Sequence, residues 1–294
     1  MSAAEPVRVE PHRALRRFRV ARLWWIAPAA VFLVLFFIAP LVANIWRSIG
    51  GSAPGRASQR GVLENYTVLV TDPFYFGVLQ ETIVVAVVVT LACIALGYPL
   101  AYFMVRKAGR WKGLILFCLI APLLTSVVMR AFGWRVIFAN RGFLNTLLVD
   151  GGLLERPINL ANHPVSVYVA LIHILLPFMV LSISSVLQAI PRSLEEAARA
   201  LGASKIKAFW HVTLPLSIEG VITGSILVFV LTNGNFVAAL LLGNNSVRTL
   251  PLMIYQQFNL TQDTSFAGAM GNVLLVIALI GLWAQSRFGK GRGI

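Results

Sequence analysis

The cysteine and histidine residues are the side chains of this sequence best suited to covalent or metal chemistry. The 294 residues include two cysteines, Cys93 and Cys118, and four histidines, but no cysteine and histidine stand at a spacing useful for catalysis or metal binding. Both cysteines lie inside apolar stretches, which predicts small buried side chains. The motifs HExxH and GxSxG are absent, and so is the phosphate-binding loop GxxxxGK(S/T). The residue types therefore predict no catalytic, metal or nucleotide site in this chain.

Long apolar runs dominate the elements that would position any site. The sequence is 58% hydrophobic and 12% charged, whereas soluble domains carry about 25% charged residues. A helix needs about 20 apolar residues to cross a bilayer. Suitable stretches are residues 24–46, 81–105, 113–138, 165–188, 214–242 and 266–284. The predicted fold class is therefore an all-α integral membrane protein with six transmembrane helices.

The distribution of basic residues predicts how these helices are oriented. Most of the 25 Lys and Arg residues fall on the side of the N-terminus: in residues 1–23, in the loops after the second and fourth helices, and at the C-terminal end. Cytoplasmic loops are enriched in basic residues, so both termini are expected in the cytoplasm. The net charge of +14 thus follows from topology and requires no nucleic acid. We expect a basic segment at 1–23 and one transmembrane domain at 24–294, with its core at about 80–285.

The loop between the fourth and fifth predicted helices, residues 191–213, carries the strongest local pattern. Ser193 and Glu196 have the spacing of a capping box, and helix formers continue to Gly202, which suits a left-handed helix end. A second short helix is expected at about 204–212. Two interpretations of this compact pair stay open. It can be a docking face for another protein, since its small alanines allow close approach, or an amphipathic helix that rests on lipid.

The spacing in this loop resembles the EAA loop of ATP-binding-cassette importer permeases. The Glu-Ala-Ala run at 196–198 is followed after three residues by Gly202, and after nine more by Val-Thr-Leu-Pro at 212–215, where the family has Ile-x-Leu-Pro. The resemblance implies a type I importer permease fold, in which this loop is the coupling helix that docks on an ATP-hydrolysing subunit. The coupling residues that it implies are Glu195, Glu196, Ala197, Ala198, Arg199 and Gly202.

Other segments look like the spermidine/putrescine-type branch of these permeases, namely residues 122–126, 130–134, 142–145, 176–180 and 214–217. The resemblance implies a bacterial inner-membrane importer of a polyamine or related amino compound. Its partners would be a second permease subunit that is a distinct homologue, a dimer of ATP-binding subunits, an extracytoplasmic solute-binding protein and membrane lipid. ATP and Mg would be bound by the partner ATPase, and this chain would hold no cofactor and no metal.

Departures from that branch leave other interpretations open. Glu219 precedes Gly220 where proline is common, and the segment 233–238 begins with Asn-Gly-Asn where it is usually apolar. The same importer class carrying an opine, an amino acid, iron or thiamine is therefore an alternative. A stand-alone secondary transporter or channel is an alternative from another class, but it would usually show internal repeats or ionisable intramembrane residues. An intramembrane enzyme would need a nucleophile or a metal cluster.

Polar and aromatic residues inside the predicted helices are candidates for the translocation pathway. Asn233 and Asn235 can line a path or can form hydrogen bonds with neighbouring helices, and the same holds for Asn272. His173 can contact a solute or simply pack, while Arg130 can belong to an outer gate or extend to the headgroups. The residues assigned to the pathway are Asn233, Asn235, Phe236, Trp134 and His173.

Overall fold

A computed structural model describes residues 27–50, 63–243 and 246–289, and helices are the only regular elements among them. The basic segment 1–23 and the start of the first predicted helix lie outside the described residues. Helices are numbered here in chain order. They are α1 (Ala27–Ile49), α2 (Glu64–Thr71), α3 (Pro73–Arg106), α4 (Lys112–Ile120), α5 (Val127–Phe138), α6 (Phe143–Asp150), α7 (Pro164–Ala189), α8 (Arg192–Ala200), α9 (Lys205–Asn233), α10 (Val237–Leu242), α11 (Leu250–Gln256) and α12 (Thr264–Gly289).

The described helices α1, α3, α7, α9 and α12 are each long and apolar enough to cross a membrane. A sixth candidate is a bent pair that contains α4, α5 and α6. The all-helical fold with five or six apolar spans agrees with the prediction. The second span is longer than expected, because Asp72 caps the helix and Pro73 occupies its first position. Cys93 is buried as predicted, whereas Cys118 is exposed on the outer surface of the bundle, so its prediction was wrong.

The third predicted helix, residues 113–138, is wrong as a single straight span. The stretches Gly109–Leu124 and Val127–Asp150 meet at an angle of 101°. Thr125 and Ser126 have extended backbone, and the Ser126 hydroxyl accepts a hydrogen bond of 3.3 Å from a backbone amide in the first turn of α5. Ser126 therefore starts a new helix in the middle of an apolar run.

The fifth predicted helix, residues 214–242, also differs from the structure. Helix α9 ends at Asn233, and α10 begins after a short break that contains Gly234 and Asn235. The Asn235 side chain accepts a hydrogen bond of 3.2 Å from the Ala238 amide, which satisfies a free donor at the start of α10. The polar residues at the break thus end one helix and begin the next.

Helices α3, α7 and α9 pack together and form the core of the molecule. Small residues let α9 approach α7 closely. A Cβ atom at Gly220 would lie 3.0 Å from the Cα of Ile183, and one at Gly224 would lie 2.7 Å from the Sδ of Met179. Membrane helices associate through close packing of this kind because lipid already satisfies their apolar surface. The core is therefore a tightly fitted three-helix unit.

A cluster of polar side chains attaches α1 to α2 and α12. Asn44 donates a hydrogen bond of 2.9 Å to the side-chain oxygen of Asn272, and the Asn272 amide nitrogen lies 2.9 Å from both the Ser48 and the Tyr66 hydroxyl oxygens. The structure thus supports the helix-bonding interpretation of Asn272. The side chains of α1 between Val31 and Ile38 are all exposed, so the described contacts of α1 concentrate at its C-terminal end.

Candidate functional site in the loop between helices α7 and α9

Helix α8 begins directly after the core helix α7. Pro191 has an extended backbone and precedes the first helical residue, and no side chain caps this end. Ser193 already lies inside the helix, so the predicted capping box with Glu196 was wrong. Because Pro191 has no amide hydrogen and a fixed φ angle, it ends α7 and sets the start of α8 without a capping side chain.

Gly202 ends helix α8 in the way that the sequence predicts. Its φ angle is +92°, in the left-handed region that favours glycine. The Gly202 amide donates to the Arg199 carbonyl at 3.0 Å, and the Ala203 amide donates to the Ala198 carbonyl at 3.1 Å. These two bonds form a Schellman motif, which satisfies the last carbonyl groups of the helix and turns the chain sharply.

The second short helix predicted at 204–212 is not separate from the fifth span. Ser204 caps its start by accepting a hydrogen bond of 3.3 Å from the Lys207 amide. The chain then continues through a π-helical turn, Phe209–Thr213, directly into the membrane-spanning part of α9. A displacement of this end of α9 therefore acts on the span without an intervening flexible loop.

Glu195 points from α8 toward the body of the protein. Its Oε1 atom lies 3.0 Å from the Nε of Arg106, at the end of α3, in an ion pair whose angle is not that of a hydrogen bond. The same oxygen accepts a hydrogen bond of 3.0 Å from the Thr213 hydroxyl in α9. Arg106 is 7% exposed and also donates to the Ile190 carbonyl at 3.0 Å. Glu195 therefore contacts both α3, which is distant from it in the sequence, and α9, which follows α8 in the chain.

The opposite side of the loop is open. Glu196, Ala197 and Arg199 are exposed, whereas Ala198 is half-buried. Four large apolar side chains of the same region are also exposed. They are Leu194, Leu201, Ile206 and Trp210, and Leu201 is 90% exposed. An exposed apolar patch mixed with charge is typical of a surface that binds another protein.

The two predicted pathway asparagines form hydrogen bonds within the protein. Asn233 is buried and donates to the Phe229 carbonyl at 2.9 Å, and its side-chain oxygen has no hydrogen-bond partner among the described residues. Asn235 caps α10, as described above. Phe236 follows at the break and stacks on Tyr255 of α11, with ring centroids 4.9 Å apart. Phe236 and Tyr255 are only partly buried, so this aromatic pair has an accessible surface.

Trp134 and His173 contact each other at a separate place. The Trp134 indole nitrogen donates to Nδ1 of His173 at 3.2 Å, and Trp134 also stacks on Phe138. Arg130 lies one helical turn before Trp134, and its Nε and Nη1 atoms are buried without a hydrogen-bond partner among the described residues. The contacts of His173 agree with the packing interpretation.

The sequence did not single out Arg106 or Thr213, although both contact Glu195. Thr213 stands at the variable position of the Val-Thr-Leu-Pro run, and no local pattern could have found Arg106, because it comes from a distant helix. Within the described ranges no group of His, Cys, Asp and Glu residues could hold a metal ion. The arrangement in this loop has the features of a mechanical contact surface: one carboxylate is bonded inward and the next is presented outward.

Comparisons with known proteins concern the chain as a whole. The family described as binding-protein-dependent transport system inner membrane component matches residues 93–293. The spermidine/putrescine transport system permease protein PotB of Escherichia coli is 36% identical over 228 residues, which cover 76% of this chain and 82% of that protein. PotB of Haemophilus influenzae is 33% identical over 78% of this chain and 79% of its own length. The molybdenum transport system permease protein ModB of Mycobacterium bovis is 28% identical over 90% of this chain and 95% of its own length.

Solved structures share the fold. A chain of a bacterial alginate ABC transporter, in complex with an alginate-bound periplasmic protein, superposes with a TM-score of 0.77 at 16% identity and covers 97% of this chain and 100% of that chain. A chain of the MetNI methionine ABC transporter gives a TM-score of 0.56 at 17% identity, over 75% of this chain and 98% of that chain. These similarities establish the fold, and the predicted resemblance to importer permeases is confirmed.

Proposed function

Because the chain belongs to the family of binding-protein-dependent transport system inner membrane components, the multi-pass permeases of ABC importers, we propose that it forms one half of the path through which a polyamine enters the cell. A second, distinct permease subunit would supply the other half. A dimer of ATP-binding subunits would drive transport with ATP and Mg, and an extracytoplasmic binding protein would deliver the solute. This chain itself would not catalyse a reaction.

The observation that carries the ATP-driven part of the proposal is the open surface of helix α8. Its inner side is bonded to α3 and α9, while Glu196, Ala197 and Arg199 face outward. The small side chain of Ala197 allows close approach of a partner surface, and the two charges can pair with it. We assign α8 as the coupling helix on the cytoplasmic side, with Gly202 fixing the turn that leads into α9.

The solute class is inferred from the relatives. The chain covers 82% of a spermidine/putrescine permease at 36% identity, which supports a polyamine. A polyamine carries several ammonium groups, and aromatic faces attract such cations. Phe236, stacked on Tyr255 at the break between α9 and α10, can supply such a face, and Asn235 lies beside it. We therefore keep Phe236 and Asn235 as pathway residues.

The other proposed pathway residues have packing contacts. Asn233 is buried, and Trp134 and His173 bond to each other. We assign these side chains to the walls that support the path. Solute choice would then rest largely on the external binding protein and on the second permease subunit.

A reconstitution experiment tests this function. The chain is expressed with its cognate permease, ATPase and binding protein, and the complex is placed in liposomes with ATP and Mg inside. We expect radiolabelled spermidine or putrescine to accumulate only when ATP and the binding protein are both present. A matched preparation with a non-hydrolysable ATP analogue is the control. ATP-dependent uptake of an opine, an amino acid, iron or thiamine, without uptake of polyamines, would contradict the solute assignment.

A further inference from the structure

Glu195, Arg106 and Thr213, called the latch here, join three helices at one end of the bundle. Glu195 belongs to α8, Arg106 to the last turn of α3 and Thr213 to the π-helical turn of α9. Both contacts of the carboxylate measure 3.0 Å. A hydrogen bond of 2.7 Å between the hydroxyl groups of Tyr98 and Ser217 joins α3 to α9 close to the latch. The C-terminal part of α3 is thus bonded to α8 and to the first part of α9.

The connectivity of the chain makes these contacts significant. Helix α8 is covalently continuous with α7 on one side and with α9 on the other, so a displacement of α8 reaches those two helices through the backbone. Helix α3 has no such connection, although it packs against α7 and α9 throughout the core. Contacts of Arg106 and Arg192 link it to the loop: Arg106 binds Glu195 and the Ile190 carbonyl, and Arg192 donates to the Val105 carbonyl at 3.2 Å.

The Arg106 contact is the more specific of the two. Arg106 is almost fully shielded, and removal of its carboxylate partner would leave a buried cation with one carbonyl as its remaining described partner. Arg192 is exposed, and its bonds to described residues go only to backbone carbonyls at the end of α3. The position of α8 against α3 therefore depends mainly on the ion pair between Glu195 and Arg106.

We propose that Glu195 is a positioning residue of the transport cycle, which makes the end of α3 move together with α8 and α9. The adjacent carboxylate of Glu196 faces outward and would contact the ATPase, whereas Glu195 acts inside the chain through Arg106. The inference rests on the proposed function, since it presumes that a partner moves α8. Of the two neighbouring acids, Glu196 would receive the displacement from the partner, and Glu195 would pass it to α3.

The test uses the complete reconstituted transporter and compares Glu195→Gln with wild type. We expect the amount of co-purified ATPase to stay within about twofold, because the docking face is unchanged. The number of ATP molecules hydrolysed per solute imported should rise about fivefold or more, a typical size for a lost coupling between sites. The matched control is Glu155→Gln, which removes an exposed acid from a loop outside the site and should leave both quantities unchanged.

A distance measurement separates positioning from a merely structural role. Spin labels at the exposed Lys107, after α3, and Ala200, at the end of α8, report the spacing of the two helices without and with trapped ATP. The spacing should stay constant in wild type and change between the states in Glu195→Gln. The double variant Arg106→Glu with Glu195→Arg re-forms the pair with reversed charges and should restore both the spacing and the ATP-to-solute ratio.

Two results would overturn the inference. One is a constant spacing together with a wild-type ATP-to-solute ratio in Glu195→Gln. Another is a loss of ATPase binding that matches the loss of uptake, since Glu195 would then contact the partner directly. The distance between the two spin labels can be measured without knowing the solute, so this result does not depend on the polyamine assignment.

Discussion

Gly202 and Gly152 form a matched pair for testing the role of helix α8. Both adopt left-handed backbone angles, with φ of +92° and +71°, and a Cβ atom added at either position would meet nothing within 4 Å. Substitution by alanine therefore causes backbone strain without a steric clash. That strain amounts to about 1–2 kcal/mol. Since each 1.4 kcal/mol is tenfold in an equilibrium constant, the native turn would become about 5- to 30-fold less favoured.

The two substitutions should differ in their effect on the partner. In Gly202→Ala the strain falls on the Schellman motif that ends α8, so part of the population loses the native orientation of the docking surface. We expect the affinity for the isolated ATPase subunit to fall by at most about 5- to 30-fold, in proportion to the lost fraction of the native conformation. Gly152→Ala strains an exposed loop after α6 and should leave that affinity unchanged.

The assay is titration of the purified permease pair in nanodiscs with fluorescent ATPase subunit, followed by ATP-dependent uptake for each variant. Circular dichroism checks that both variants keep their helical content. Equal affinities for the two variants, or a loss in Gly152→Ala as large as that in Gly202→Ala, would refute the assignment of α8 as the coupling helix.

Three further outcomes are expected. Gly224→Ala places a methyl group 2.7 Å from the thioether sulfur of Met179 on α7. In a detergent unfolding experiment it should lower the free energy of unfolding by about 1–3 kcal/mol. The control is Gly271→Ala, where an added Cβ meets nothing within 4 Å and the free energy of unfolding should be nearly unchanged. Asn272→Ala removes three interhelical hydrogen bonds, each worth about 0.6 kcal/mol. The free energy of unfolding should therefore fall by about 2 kcal/mol. The control is Asn259→Ala, which removes a bond within an exposed turn and should change the free energy of unfolding little. In a variant whose native cysteines are replaced by serine, Glu196→Cys should react with an impermeant maleimide only from the cytoplasmic side, and labelling from outside would contradict the proposed topology.

The apolar spans and the end of α8 could be predicted from the sequence because each depends on local chemistry. Length and apolar composition identify α3, α7 and α12. Gly202 follows a run of helix formers, and its left-handed conformation was confirmed. The break at Thr125 and Ser126 could not be found in this way, because the apolar composition continues across it and the new helix depends on one serine cap.

The roles of the two adjacent acids in α8 depend on information that the local sequence does not contain. Glu195 and Glu196 are chemically alike and differ only in the direction that they face. Which of the two directions leads to a partner within the protein depends on Arg106, which comes from another helix. The interpretation of Asn272 likewise depended on Asn44, which lies near the other end of the chain. Such contacts between distant residues can be identified only from the three-dimensional arrangement of the helices.

The polar cluster between α1 and α12 has a consequence for biogenesis. Helix α1 leaves the ribosome long before α12 is made, so Asn44 and Ser48 enter the bilayer before their partner Asn272 exists. During that interval the Asn44 amide lacks this partner, whereas the Ser48 hydroxyl already donates to the Ile45 carbonyl of its own helix. The arrival of the last span completes the cluster, so the attachment of α1 to α12 is a late event that has to wait until almost the whole chain has been made.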